Sequence, residues 1–169
     1  MTKTAPVEPV IVQRTAQPYV AMKRTVAMHT MNEIADRIPE VIGWLVDRGI
    51  EPAGAPFLKY DVIDMERRLV VEAGVPVGME VAGDDQVFAE VLPAGRYVTY
   101  NHVGHPDELV EVTGAVLAWA REQGLTWDKT ETPDGEQWGC RLEIYNTHPA
   151  EQPDPNKWET QLAFRLADG

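Results

Sequence analysis

The stretch WGCRLEIYN, residues 138–146, decides how this chain is read. Its alternation is that of a β-strand: Cys140, Leu142 and Ile144 fall on one face, Arg141, Glu143 and Tyr145 on the other. The first set makes an apolar core face. The second is either a solvated outer surface, with Arg141 and Glu143 paired, or the polar and aromatic wall of a pocket. Periodicity alone leaves both open.

Working outward, a strand is predicted over 157–166, where Trp158, Thr160, Leu162 and Phe164 share an apolar face and Glu159 turns away from it. Between the two, THPAEQPDPNK carries three prolines and reads as a surface loop. Upstream, strands over 86–92 and 96–102 flank the turn Pro93-Ala94-Gly95. A helix follows, with Pro106, Asp107 and Glu108 in its first turn, Leu109, Val112, Val116, Trp119 and Ala120 on its apolar stripe, and Gly124 after its end.

The first part of the chain has the same order. Strands are predicted over 8–15 and 19–28, joined at Gln17-Pro18. Thr30 and Glu33 have capping-box spacing ahead of Ile34, Ile38, Val41, Ile42 and Leu45, and Gly49 sits at the C-terminal cap. Pro39 predicts a kink, or a break that restarts with proline in the first turn. Strands over 57–63 and 68–77 close this part. Local echoes align the halves, about 8–78 and 86–167: QPYVAM with AGRYVTY, RGIEPAG with QGLTWDK, LKYDVID with LEIYNTH. Tyr19 then matches Tyr97, and Tyr60 matches Tyr145. The expected fold is α+β, a single domain of two strand-helix-strand-strand units about a pseudo-two-fold axis, with a cleft where their antiparallel sheets meet. Small ligands are commonly held in such clefts.

Composition narrows the functions. Acidic residues outnumber basic ones 27 to 15, so a nucleic-acid backbone or an anionic membrane would be repelled. The opening MTKTAPVEPV lacks the apolar run of a signal peptide, and no stretch approaches membrane-spanning length, which makes the cytoplasm the expected location. The one cysteine, Cys140, precludes an internal disulfide and reads as a buried thiol. The chain has no serine, hence no serine triad, and no glycine-rich phosphate loop. His102 and His105 lie at a strand-to-helix junction, where capping is the simpler reading; neither a metal nor a cofactor is expected.

Acids and aromatics remain. A carboxylate beside aromatic rings suits a flat ligand carrying positive charge: the rings stack and the acid neutralises. The same pair polarises water if burial raises the acid's pKa. Glu143 and Tyr145 are the leading candidates. Glu72, in VVEAGVPV, either points into the same cleft or decorates a bulge at Gly74. Trp138 lies near a strand end, where an aromatic makes a rim or lid, and Met22, Met28, Met31 and Met79 suit adaptable walls or plain core filling.

Five stretches, RGIEPAGAPFLKYDVID, VVEAGVPV, LPAGRYVTYNHVGHPDEL, LAWAREQGL and LEIYNTHPAEQPDPNKWETQLAF, resemble the GyrI-like small-molecule-binding family. That family also supplies the effector-binding half of MerR-type and AraC-type multidrug regulators. The resemblance implies the two-unit fold above and a central cleft for lipophilic, often cationic, aromatic compounds. EIY matches the family's acidic-x-aromatic strand, giving Glu143 and Tyr145 ligand-contacting roles, and LKYD gives Tyr60 a place on the wall. Both halves of the effector domain use the whole chain, so a stand-alone member that does not itself bind nucleic acid is expected. Its function is expected to be multidrug binding. The alternative, implied by relatives that open the cyclopropane ring of DNA-alkylating antibiotics, is a hydrolase with Glu143 activating water. A third class, an acidic inhibitor imitating DNA, leaves room for a protein partner.

Overall fold

The computed structural model describes residues 8–64, 67–148 and 150–168, so the reading of Met1–Val7 as carrying no leader lies outside the described residues. The β-rich segments form one antiparallel sheet from β1 (Val10–Arg14), β2 (Gln17–Val26), β3 (Phe57–Asp64), β4 (Arg68–Pro76), β5 (Phe88–Leu92), β6 (Gly95–Val103), β7 (Lys129–Thr132), β8 (Gly135–Trp138), β9 (Arg141–Tyr145) and β10 (Glu159–Arg165). Its main path runs β1-β6-β10-β9-β3-β4-β2-β5, with the β7–β8 hairpin attached to β3.

That order is palindromic with respect to the two halves, and the registers show how closely. Tyr19 of β2 faces Glu90 of β5, as Tyr97 of β6 faces Val12 of β1. Tyr60 pairs with Val71, as Tyr145 pairs with Thr160. Both tyrosine matches read from the sequence are therefore structural equivalences. At the centre, β3 and β9 pair as Phe57 with Ile144, Leu58 with Glu143 and Lys59 with Leu142. Leu58 and Glu143 are thus each other's equivalents and directly opposed, so the pseudo-two-fold axis passes between them. The half-sheets join edge to edge here, and the cleft lies above this junction.

Two features depart from expectation. The strands joined at Gln17-Pro18 and at Pro93-Ala94-Gly95 do not pair within their own hairpins: β1 crosses to β6 and β5 crosses to β2. The strand read over 138–146 takes in the end of one strand, β8, and the whole of another, β9, broken at Gly139, and the β7 hairpin strand was not anticipated.

The helices cover one face of the sheet. The first helical segment breaks into α1 (Asn32–Ala35) and α2 (Ile38–Asp47), and Pro39 sits in the first turn of α2, where its missing N–H costs no bond. Thr30 does not cap α1. Its hydroxyl accepts from the Ala27 backbone N–H at 2.8 Å and closes a preceding 3₁₀ turn. A second 3₁₀ turn over Pro106–Glu108, capped by His105 Nδ1 accepting from Asp107 N–H, leads into α3 (Leu109–Glu122). No helix among the described residues is long and apolar enough to cross a membrane.

Both faces of the sheet are packed, which alternation alone does not reveal. Beneath the helices lie Leu58, Leu69, Val98, Leu162 and Phe164; on the far face Tyr19, Phe57, Tyr97, Cys140 and Leu142 form a separate cluster. Cys140 is fully buried there, and burial pushes its thiol up to about 11. A Cβ at Gly139 would lie 1.9 Å from Asp128 Oδ2, the oxygen that accepts from Arg165 at 2.8 Å. Gly139→Ala is therefore expected to displace that ion pair and destabilise the fold by about 1–3 kcal/mol. A urea melt with a lowered midpoint and unchanged slope is the readout.

Candidate functional site

Above the β3–β9 junction the sheet and the helices enclose a cavity of about 500 Å³. Its floor comes from the strands: Leu58, Tyr60 and Ile63 of β3, then Arg141, Glu143 and Tyr145 of β9. The walls come from the 3₁₀ turn and α1 on one side, including Met28 and Met31, and from α3 on the other. Leu109, Thr113 and Leu117 recur every four residues, so one stripe of α3 faces the cavity while Val116 and Ala120 pack into the core.

Glu143 is set by its strand position at the pseudo-symmetry axis. The Tyr145 hydroxyl donates to its Oε1 at 2.7 Å. Burial holds the carboxyl above its usual range, opposed by the Tyr145 and Tyr60 hydroxyls and by the Arg141 charge. Tyr60 and Tyr145 are in turn held far above the usual phenol range, by burial first and by the neighbouring carboxylate second. The wall therefore holds an acid whose neutral form burial favours, flanked by two phenols that stay protonated.

Arg141 does not close on Glu143. Its guanidinium lies 4.8 Å from the Trp138 ring centre and 4.7 Å from that of Phe164, with Tyr60 at 6.0 Å. Trp138 is accordingly not a rim or lid. It is 4% exposed, packed against Trp127 and Phe164, and serves as a bed for Arg141. Glu136, which no local pattern singles out, also reaches the cavity. Against burial, hydrogen bonds from Lys129 (2.7 Å) and Trp138 (3.3 Å) hold its carboxyl below the usual range.

Glu143, Tyr145 and Tyr60 thus line one cavity; Glu72 and Met22 do not. Met22 packs beside the cluster of Val20, Val41, Trp44 and Leu45 beneath α2. Glu72 points to the far face, because in β4 it alternates with Val71 and Ala73, which face the helices. There it accepts from the Tyr19 hydroxyl at 2.5 Å and lies 3.4 Å from Lys59 Nζ, which also binds Asp61. These groups border a second hollow of about 640 Å³ and are bound mainly to one another, although Asp61 Oδ2 is buried without a hydrogen-bond partner, 3.7 Å from Lys23 Nζ. Glu159 takes a hydrogen bond from Asn146 at 3.1 Å, away from the cavity.

A continuous antiparallel sheet with internal two-fold symmetry, carrying a largely apolar open cavity with a carboxyl on the axis, defines a class of small-molecule receptor domain. The comparisons agree. Residues 7–167 match the family model for the GyrI-like small molecule binding domain, and the chain belongs to that family. Among solved structures it superposes on EcmrR in its DNA complex with a TM-score of 0.75 at 17% identity, over 97% of this chain and 59% of EcmrR. The chain therefore spans less than two thirds of that protein. SAV2435 bound to tetraphenylphosphonium gives 0.61 at 14% identity, covering 95% and 94% of the two chains. A hydrolase from Listeria innocua gives 0.58 at 15%, covering 97% and 94%. At such identities the likeness is one of fold. No match is found among curated proteins.

Burial, before any other cause, pushes Glu72 from its ordinary 4.5 up to about 7. The folded state therefore holds this proton more tightly than the unfolded chain. That contribution to stability is complete below about 4.5 and is lost as pH rises through about 7. Glu72→Gln is expected to flatten this part of the stability–pH curve, measured by urea melts between pH 5 and 7.5. An unaltered slope would mean that Glu72 is ionised throughout.

Proposed function

We propose that this chain is a multidrug-binding protein that takes lipophilic, cationic aromatic compounds into the cavity above the β3–β9 junction. The observation that carries this reading is Glu143. No basic side chain among the described residues lies within ion-pair distance of it, and a tyrosine hydroxyl fixes its orientation inside an apolar enclosure. An ionised carboxylate so placed lacks a counter-charge, and a buried charge without one is costly. A cationic ligand supplies it. The cavity volume suits a drug-sized molecule, and the methionines at its mouth allow several shapes to be accommodated. That SAV2435 was solved with tetraphenylphosphonium supports the ligand class.

Titration calorimetry with tetraphenylphosphonium or rhodamine 6G tests it. Glu143→Gln is expected to weaken binding about tenfold or more, with the melting temperature preserved, a tenfold loss being about 1.4 kcal/mol. The sign of the pH effect follows from the raised pKa of Glu143: affinity for the cation climbs as pH rises and the carboxyl ionises, and the variant loses this climb. Equal affinity in both proteins removes Glu143 from the site.

A second reading is favoured by the same raised carboxyl and by the hydrolase among the structural neighbours. Glu143 as general base would take a proton from water as its oxygen attacks a cyclopropane carbon of an alkylating antibiotic. The ring bond breaks toward the conjugated carbonyl, which collects the proton as a phenol. Mass spectrometry of a cyclopropane-bearing alkylator incubated with catalytic amounts of protein is expected to show the water adduct with turnover. Its absence leaves binding alone.

A further inference from the structure

The far-face cluster of Lys59, Asp61 and Glu72 spends its charges internally, whereas Arg141 does not. Its guanidinium faces are taken up by Trp138 and Phe164, at 4.8 and 4.7 Å from the ring centres. Stacking uses the flat face of a guanidinium and leaves its five in-plane N–H donors unspent. Among the described residues no side chain accepts a hydrogen bond from them, and no carboxylate lies within 4 Å. Arg141 nonetheless lines the cavity. Arg141 is half-buried and burial works against its charge, so donors that open into the cavity are available to an acceptor on a ligand. Glu143 stands two residues along the same strand and faces the same cavity, about 7 Å away by strand geometry.

We infer that the cavity selects amphoteric aromatic ligands: molecules whose cationic part lies against Glu143 and whose carboxylate or sulfonate is received by Arg141. The inference rests on the small-molecule reading above and sharpens it. A ligand with a cation alone meets one wall charge and makes no use of the guanidinium. A ligand carrying both satisfies the pair, with the aromatic body spanning between them over Tyr60 and Tyr145. The planar fork of arginine matches a carboxylate in two parallel hydrogen bonds, and the ring bed fixes the plane of that fork before the ligand arrives. Arg141 is then a specificity-determining residue that lowers the cost of ordering on binding.

Rhodamine 110 and rhodamine 123 form the matched probe pair: the same xanthene cation, with a free carboxylate in the first and its methyl ester in the second. The wild-type protein is expected to bind the free acid at least fivefold more tightly in titration calorimetry. Arg141→Met keeps a flexible apolar chain on the Trp138 and Phe164 rings, and is expected to bring the affinities for the two dyes within twofold of each other. Equal or tighter binding of the ester by the wild type overturns the proposal, as does a preference that survives in Arg141→Met. The wild-type comparison needs no variant, so a poorly folding Arg141→Met, detected by circular dichroism, still leaves a decisive measurement. Ester binding that depends on Glu143, without any preference for the acid, sinks this inference and leaves the cation reading standing. Binding of neither dye removes both.

Discussion

The pairing of β3 with β9 is the constraint on which the remainder of the molecule depends. It joins two four-strand sets across the pseudo-two-fold axis, and its register places Leu58 directly against Glu143. Equivalent positions under an approximate symmetry need not keep the same residue. Here one became leucine and packs with the core, while the other became an acid that the cavity leaves partly open. A slip of one residue along β9 would turn Glu143 into the Tyr97 and Cys140 cluster and bring Leu142 into the cavity. The apolar packing on both faces is what forbids that slip, so the geometry of the site and the stability of the sheet have a common origin.

Each face of the sheet carries a buried glutamate, and the two solve the same electrostatic difficulty differently. Glu72 receives the Tyr19 hydroxyl and has Lys59 for counter-charge, with Asp61 sharing the lysine. Glu143 has a tyrosine hydroxyl and, among the described residues, no lysine or arginine in ionic contact. The nearest cation on its own strand, Arg141, is drawn sideways onto aromatic rings. Glu72 is tied to a tyrosine and a lysine of its own network, whereas Glu143 keeps acceptor capacity that a ligand can use. This difference, rather than burial alone, separates a structural acid from a candidate binding acid.

Much of this was legible from residues 138–146 and from the internal echo. The tyrosine matches placed the halves in register, and alternation put Arg141, Glu143 and Tyr145 on one side. Alternation could not tell which neighbours each face would meet. Glu72 looked equivalent to Glu143 because both are strand glutamates beside small or apolar residues, yet the face it occupies depends on long-range pairing with β2 and β3. Trp138 was ambiguous because the neighbouring Gly139 sits directly against Asp128, eleven positions upstream, and no local pattern records that contact. Glu136 and the α3 stripe of Leu109, Thr113 and Leu117 reach the cavity only through the way the helix lies over the sheet. The crossing of β1 to β6 and β5 to β2 had no signal at all, since a hairpin-like spacing fits local pairing equally well.

That exchange of edge strands bears on how the chain assembles during synthesis. The outer flank of β2 stays bare until 88–92 emerge, and β1 waits longer still, for the residues of β6. Neither half can seal its own edge, so an N-terminal half released alone would present an open strand to any neighbour. Closure therefore comes late and all at once, through contacts between residues some 70 to 90 positions apart, which favours slow, highly cooperative folding over a stepwise build-up of two finished lobes.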